Sequence, residues 1–327
     1  MKKTVILSIL LFFTFLLSCC VGRYYLSIAD IFHILTNSGN NTAMDINIFL
    51  NIRLPRAILV TLSGGALALS GFVYQSLFKN PLVSPDVLGV SGGASVGAII
   101  AILFFSANNV LVQISSFVCS LFVVLCSMLL SKCIGGKRLY TMVLSGIIMG
   151  SLANAIIMAL KYMADPVKHL ASIEYWLMGS FHSTSWNDVF VVLFICLFAI
   201  IILTLIKRRL WILALGDQDA QALGIHVKMI STLSIICATI LVSAVVSVSG
   251  IISWIGLIVP HIVRIFAGEN YLENFTQSFF VGGILLLIAD TLSRTLSASE
   301  IPISILTSFM GAIFLVIFLY IRNRSSV

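Results

Sequence analysis

The sequence predicts an all-α integral membrane protein of about ten transmembrane helices. Three observations carry that prediction: charge is too sparse for a soluble domain, apolar residues gather in runs near twenty, and basic residues are shared unevenly between the connections. Of 327 residues, 9% are charged and 60% hydrophobic, against about 25% charged in a soluble domain. A soluble chain of this length would divide into about two domains; here one membrane domain over residues 1–327 is expected. The net charge of +7 does not point to nucleic acid. The basic residues stand in short clusters between apolar runs, where positive charge fixes topology.

A helix needs about 20 apolar residues to cross a bilayer. Runs of that kind lie at about 4–21, 55–77, 87–106, 110–131, 140–162, 188–206, 229–249, 251–267, 275–296 and 303–321. The first, in "MKKTVILSILLFFTFLLSCC", has the basic start and apolar centre of a signal peptide, and "LLSC" resembles a lipoprotein cleavage site. The run from Thr4 to Val21 is nonetheless long enough to span, so an uncleaved first helix is expected. The third and eighth runs are the least regular, being interrupted by small residues or proline.

Orientation follows from Lys and Arg in the connections. With the N-terminus inside, thirteen basic residues fall on the cytoplasmic side and six outside: Arg23, Arg53, Arg56, Lys161, Lys168 and Arg294. Both termini are therefore expected in the cytoplasm. Trp176, Trp186, Trp211 and Trp254 fall near predicted interfaces, where amphipathic rings prefer to sit.

The second run, "RLPRAILVTLSGGALALSG", brings Arg53 and Arg56 to the outer side against this bias. They and Arg294 stand at outer helix ends, where a guanidinium can snorkel to headgroups or offer a fork to a carboxylate. The small residues have a packing role, because helices in lipid associate by close backbone approach. Gly89 with Gly93, Gly93 with Gly97, and Gly146 with Gly150 are such pairs. The seven cysteines read as reduced, buried thiols. Cys119, Cys126 and Cys133 share a helix face, but two turns separate neighbours by about 10 Å, too far to share a metal ion.

No GxxxxGK[ST] loop or HExxH pair occurs, and the two GxSxG matches, Gly89–Gly93 and Gly93–Gly97, lie inside an apolar run, so neither nucleotide binding nor catalysis is indicated. Asp290 is the main carboxylate within the spans, and it is expected to pair with Arg294 one turn away. Such scarcity argues against a carrier powered by its own ion gradient. Between the sixth and seventh spans, "KRRLWILALGDQDAQALGIHV" predicts a short surface helix. Asp217 and Asp219 suit its N-terminus, Ala220 to Leu223 propagate it, and Gly224 stops it. In "GLIVPHIVR", Pro260 interrupts a helix, and His261 reads as a satisfied polar group.

Five stretches, in this order, carry a resemblance: "RLPRAILVTLSGGALALSGFVYQSLFKNPLVSPDVLGVSGGASVGA", "YWLMGSF", "LALGDQDAQALGIHV", "GLIVPHIVR" and "ADTLSRTLSASEIPISILTSFMGAIFLV". Over about residues 50–320 the chain resembles the FecCD family, membrane permeases of binding-protein-dependent ABC importers for iron-siderophore complexes, haem and cobalamin. The resemblance implies the type II ABC importer permease fold in the bacterial cytoplasmic membrane. It also implies a second permease subunit, identical or paralogous, a cytoplasmic ABC ATPase dimer and an external substrate-binding protein. ATP and Mg would be used by the partner ATPase, with no cofactor or metal bound by this chain.

By the same resemblance, Arg53, Arg56 and Arg294 dock the binding protein. Residues of about 214–228, namely Gly216, Asp217, Asp219, Ala220, Leu223 and Gly224, couple to the ATPase. An external gating helix at about 171–180 includes Tyr175, Trp176, Met178 and Gly179. A cytoplasmic gate is expected near Leu139, Tyr140, Thr141 and Met142, where the residues depart from the pattern of relatives. The fifth and tenth spans should line the pathway. Ferric siderophore is the expected cargo and haem or cobalamin the alternative; a self-contained secondary transporter or channel is the reading of a different class.

Overall fold

A computed structural model describes residues 2–36, 38, 42–105, 108–136, 138–268, 270–297 and 299–324. Lys137, counted among the basic residues above, lies outside them. The described residues form helices α1 (Lys2–Cys20), α2 (Ile28–Thr36), α3 (Ala43–Asn47), α4 (Leu54–Phe78), α5 (Val90–Phe104), α6 (Asn109–Ile134) and α7 (Arg138–Met163). They continue with α8 (Leu170–Met178), α9 (Trp186–Leu215), α10 (Asp217–Ala222), α11 (Val227–Ser249), α12 (Ile255–Ala267), α13 (Tyr271–Thr295) and α14 (Ile303–Arg324).

Each of the ten predicted runs coincides with one of these helices. Among the described residues, seven helical stretches are long and apolar enough to cross a membrane, while Val90–Phe104, Ile255–Ala267 and the apolar part of α14, Ile303–Phe318, are shorter. Two of the short ones are the irregular third and eighth runs, and their starts explain the difference. A 3₁₀ turn at Pro85–Leu88 and a left-handed Gly89 delay α5, and Trp254, at φ +72°, delays α12. At 1.5 Å per residue, α5 and α12 then reach only about 20 Å.

Before α4 the chain widens into a π-helical segment, Ile48–Arg53, in which the Leu54 amide reaches back to the Phe49 carbonyl. The widened register accommodates Pro55, whose ring would meet the carbonyl of Asn51 in α register. It also leaves the Leu50 carbonyl spare, and the Trp186 indole donates to it at 3.0 Å.

The chain groups into two compact units. One comprises residues 1–69, 181–194 and 253–327, the other 70–180 and 195–252. In the first, α4 and α13 cross backbone to backbone at Gly64 and Gly282; a Cβ on either would collide with the other's carbonyl oxygen. α1 lies along α13 in the same direction, since Lys3 and Gln277 line one groove near their starts and Ser18 meets Arg294 near their ends.

In the second unit the predicted glycine pairs do what close packing needs. A Cβ on Gly93 would stand 2.8 Å from the Cys119 carbonyl oxygen, one on Gly97 would collide with the Ser115 carbonyl, and one on Gly146 with that of Val87. Hydroxyls add interhelical bonds: Ser70 to the Ala238 carbonyl at 2.9 Å, Tyr74 with Thr239 at 2.8 Å, and Ser120 to Ser243 at 2.6 Å. The seven cysteines are free, but only Cys19, Cys196 and Cys237 are buried. Cys133, expected inside, is exposed, one residue before the end of α6.

Candidate functional site

The three predicted docking arginines gather in the first unit, and none presents a free fork. Arg53, Arg56 and Arg294 are 5%, 5% and 8% exposed. Arg53 ends the π segment and turns back onto the last turn of α1: its Nη1 donates to the Cys19 and Cys20 carbonyls at 2.7 Å, and its Nη2 to the Tyr24 carbonyl. Gly22 makes room, since a Cβ there would stand 2.7 Å from Nη2. Arg294 reaches the same turn through Ser18, with Nη2 2.9 Å from its hydroxyl and 3.1 Å from its carbonyl. Two cations thus serve carbonyls that a helix C-terminus leaves without partners.

Arg56 is bound by acids of its own chain. Nε and Nη2 share Asp290 Oδ1 at 3.0 and 2.9 Å, while Nη1 and Nη2 donate to the two Glu300 oxygens at 2.9 Å. The expected pair is also present, with Arg294 Nε 3.1 Å from Asp290 Oδ2. Glu300 lies in the connection before α14. Partial burial pushes its carboxyl up, but the hydrogen bond and charge of Arg56, with His182 and Arg294, outweigh this and hold it below the usual carboxylate range. The expectation of outward-facing guanidinium forks is therefore corrected: internal carbonyls and carboxylates occupy them. Three guanidiniums against two carboxylates still leave one positive charge, and Arg23, which donates to the Ser297 carbonyl at 3.1 Å, stands exposed beside them.

In the second unit the short surface helix forms where predicted. Gly216 precedes α10, Asp217 and Asp219 occupy its first turn, and Ala220 is its buried anchor. Leu223 closes it with a side chain 67% exposed. The Ile225 amide returns to the Ala220 carbonyl at 2.9 Å and the Gly224 amide to that of Gln221 at 2.9 Å. That double closure requires a left-handed residue, supplied by Gly224 at φ +73°. Lys79, just past α4, pairs with Asp217 at 3.0 Å and pins the start of α10.

The predicted external gating segment is α8. Ile173 is buried among Ala98, Ile99 and Val112, with Trp176 half-buried against that cluster, while Tyr175 and Met178 are exposed. Gly179, at φ +70°, ends the helix against the Ile251 carbonyl, and the Ser180 amide donates to the Ser249 carbonyl at 2.7 Å. Tyr175 donates to the Ser180 hydroxyl at 3.0 Å. Leu177 of α8 borders a cavity of about 390 Å³ whose polar wall includes Asp86, Ser91, Ser95 and Asn154.

The four residues expected near a second gate form the first turn of α7. Leu139 is half-buried and Tyr140 exposed, while Thr141 and Met142 are buried and line a cavity of about 230 Å³ with Lys132 and Lys228. Thr141 and Ser131 share a hydrogen bond of 3.0 Å. Sequence reasoning missed Glu300, Lys79 and Gly282. Glu300 could have been found as a carboxylate in a loop beside an arginine-ended helix; the others have no local signal.

Long apolar helices in series, joined by short helices, define a multi-pass membrane protein. The chain belongs to the FecCD transport family, which matches residues 10–322. It is 34% identical to the molybdate import system permease protein MolB of Haemophilus influenzae, over 98% of this chain and 96% of that protein. It is 37% identical to the hemin transport system permease protein HmuU of Yersinia pestis, over 90% of this chain and 88% of that one. A solved structure of a metal-chelate type ABC transporter, in an inward-facing conformation, matches with a TM-score of 0.88 at 33% identity, covering 98% of this chain and 99% of that one. The chain is an ABC importer permease of FecCD type. That membership sets aside the self-contained carrier.

Proposed function

We infer that this permease carries a ferric siderophore across the bacterial cytoplasmic membrane, received from an external binding protein and driven by a separate ATPase dimer. The observation that carries the cargo is the whole-chain likeness to a metal-chelate type transporter. The likeness to a hemin permease supports haem as the second reading.

Both termini lie in the cytoplasm in this account, so α10 faces the ATPase and the arginine cluster faces outward. ATP binding can move the permease only if the ATPase makes different contacts in its inward- and outward-facing states. A helix closed at its C-terminus by Gly224, paired at its start with Lys79 and offering Leu223, can transmit that difference without unravelling. Outside, the binding protein docks on the arginine-rich end. Arg53, Arg56 and Arg294 hold the ends of α1, α4 and α13 in one frame and supply its positive field, while exposed Arg23 meets the partner's acids. A second permease subunit, identical or paralogous, completes the pathway, with the cavity beside α8 opening into it.

The test reconstitutes the permease with its ATPase and binding protein and measures ATP-dependent uptake of a radiolabelled ferric siderophore against competitors. Suppression by other ferric siderophores, with haem and molybdate inert, supports the reading. Uptake of haem alone transfers it to the second reading, and uptake of molybdate alone overturns an iron cargo.

A further inference from the structure

A groove of about 380 Å³ runs between α1, α12 and α13 in the first unit. Its walls are apolar, with Ile6, Leu7 and Leu10 on one side and Ile262, Phe266 and Leu285 on the other. Two groups break that pattern. Lys3 stands at one end, its ammonium donating to the Phe266 and Ala267 carbonyls at 3.1 and 3.4 Å. Those acceptors are neutral, so the full positive charge stays, and exposed Lys2 adds another beside it. Gln277 also lines the groove; it is 1% exposed, and its amide nitrogen has no hydrogen-bond partner among the described residues.

A buried amide donor without an acceptor costs free energy that an arriving acceptor removes. Water suits these walls poorly, since they offer it few polar partners. The occupant that fits has an apolar chain, an acceptor near the top of that chain and a negative charge above it. Because α1 and α13 run the same way, Lys3 and Gln277 mark one end, and Leu10 and Leu285 lie about two turns further along. That order is the order of phosphate, ester carbonyl and acyl chain in a phospholipid.

We propose that this groove holds one acyl chain of an anionic phospholipid, with its phosphate at Lys3 and a glycerol ester carbonyl accepting from Gln277. A zwitterionic phospholipid supplies the same chain and ester without net charge. Inorganic phosphate supplies charge without the chain.

The full-length protein, purified in mild detergent and stripped of lipid, is followed by thermal unfolding while lipids of matched chains are added back; a ligand of the folded state raises the midpoint. Phosphatidylglycerol is expected to act at lower concentration than phosphatidylcholine, and Lys3→Gln to weaken its effect roughly fivefold and that of phosphatidylcholine less, because choline offsets the charge of the same phosphate. Ester-linked phosphatidylglycerol should act at lower concentration than its ether-linked analogue on the wild type, and Gln277→Leu should remove that difference. Leu7→Trp, which fills the groove, should abolish the midpoint rise; if it does not fold, the ester and ether comparison decides alone. Equal action of both headgroups on the wild type, or an ester preference untouched by Gln277→Leu, overturns the proposal.

Discussion

Arg56 and Asp290 are 234 residues apart in the chain, yet two guanidinium nitrogens of Arg56 converge on one oxygen of Asp290 at 3.0 and 2.9 Å, with both residues buried. The pair sits inside a chain of charges running Glu300, Arg56, Asp290, Arg294. Such an arrangement adds little over well-packed apolar groups, but removing one member strands the others in a poor solvent for charge. Arg56→Met should therefore cost about 3–5 kcal/mol. Thermal unfolding in detergent checks this. Arg56→Lys should recover only part of the loss, because one ammonium cannot serve both carboxylates as a planar fork does.

The same network sets a pH dependence through Glu300. Its folded carboxyl is held below the ordinary range, so its contribution is fully present above about 4.3 and is lost as pH falls through the lowered folded value. The unfolding midpoint of the wild type should drop on acidification below about pH 4, and its advantage over Glu300→Gln should vanish there. An advantage that persists to the lowest pH would show that the carboxylate charge is not what Arg56 uses.

Gly64 and Gly282 predict a clash of a different kind. Backbone stands on both sides of the crossing, so neither neighbour can swing aside. Gly64→Ala and Gly282→Ala should each cost about 1–3 kcal/mol by overpacking. The double variant should cost less than their sum, because the first substitution already separates the helices. Unfolding midpoints of the four proteins form the cycle that measures it.

At Gly224 space is not the constraint, since a Cβ there would meet nothing within 4 Å. The constraint is φ +73°, which a β-branched residue resists. Gly224→Val should cost about 1–2 kcal/mol locally and lower the cargo moved per ATP hydrolysed, with ATPase association kept. Gly224→Asn should retain most coupling, because asparagine tolerates the left-handed region. Parallel assays of hydrolysis and uptake distinguish the two.

Much of this was legible in the sequence because lipid imposes simple rules. Long apolar runs became helices, and the acid pair, alanine stretch and glycine of 217–224 became the capped helix α10. The ion pair of Asp290 with Arg294 followed from one-turn spacing. What was not legible depends on tertiary neighbours. Nothing local to Arg53 says that the final turn of α1 comes to meet it, or that Gly22 leaves it room. Likewise Arg56 reads as an anchor at a helix mouth until the chain brings Asp290 and Glu300 to it. Span lengths at α5 and α12 were overestimated because hydropathy does not see the backbone reversals at Gly89 and Trp254.

The orientation assigned to α8 and α10 is the premise on which delivery from outside and drive from within both depend. The direct measurement uses sealed right-side-out vesicles and a membrane-impermeant thiol reagent, with Tyr175→Cys and Leu223→Cys placed singly in a background whose native cysteines are replaced. The account predicts that Tyr175→Cys is labelled at once and Leu223→Cys only after permeabilisation. Labelling of both from the same side would contradict it.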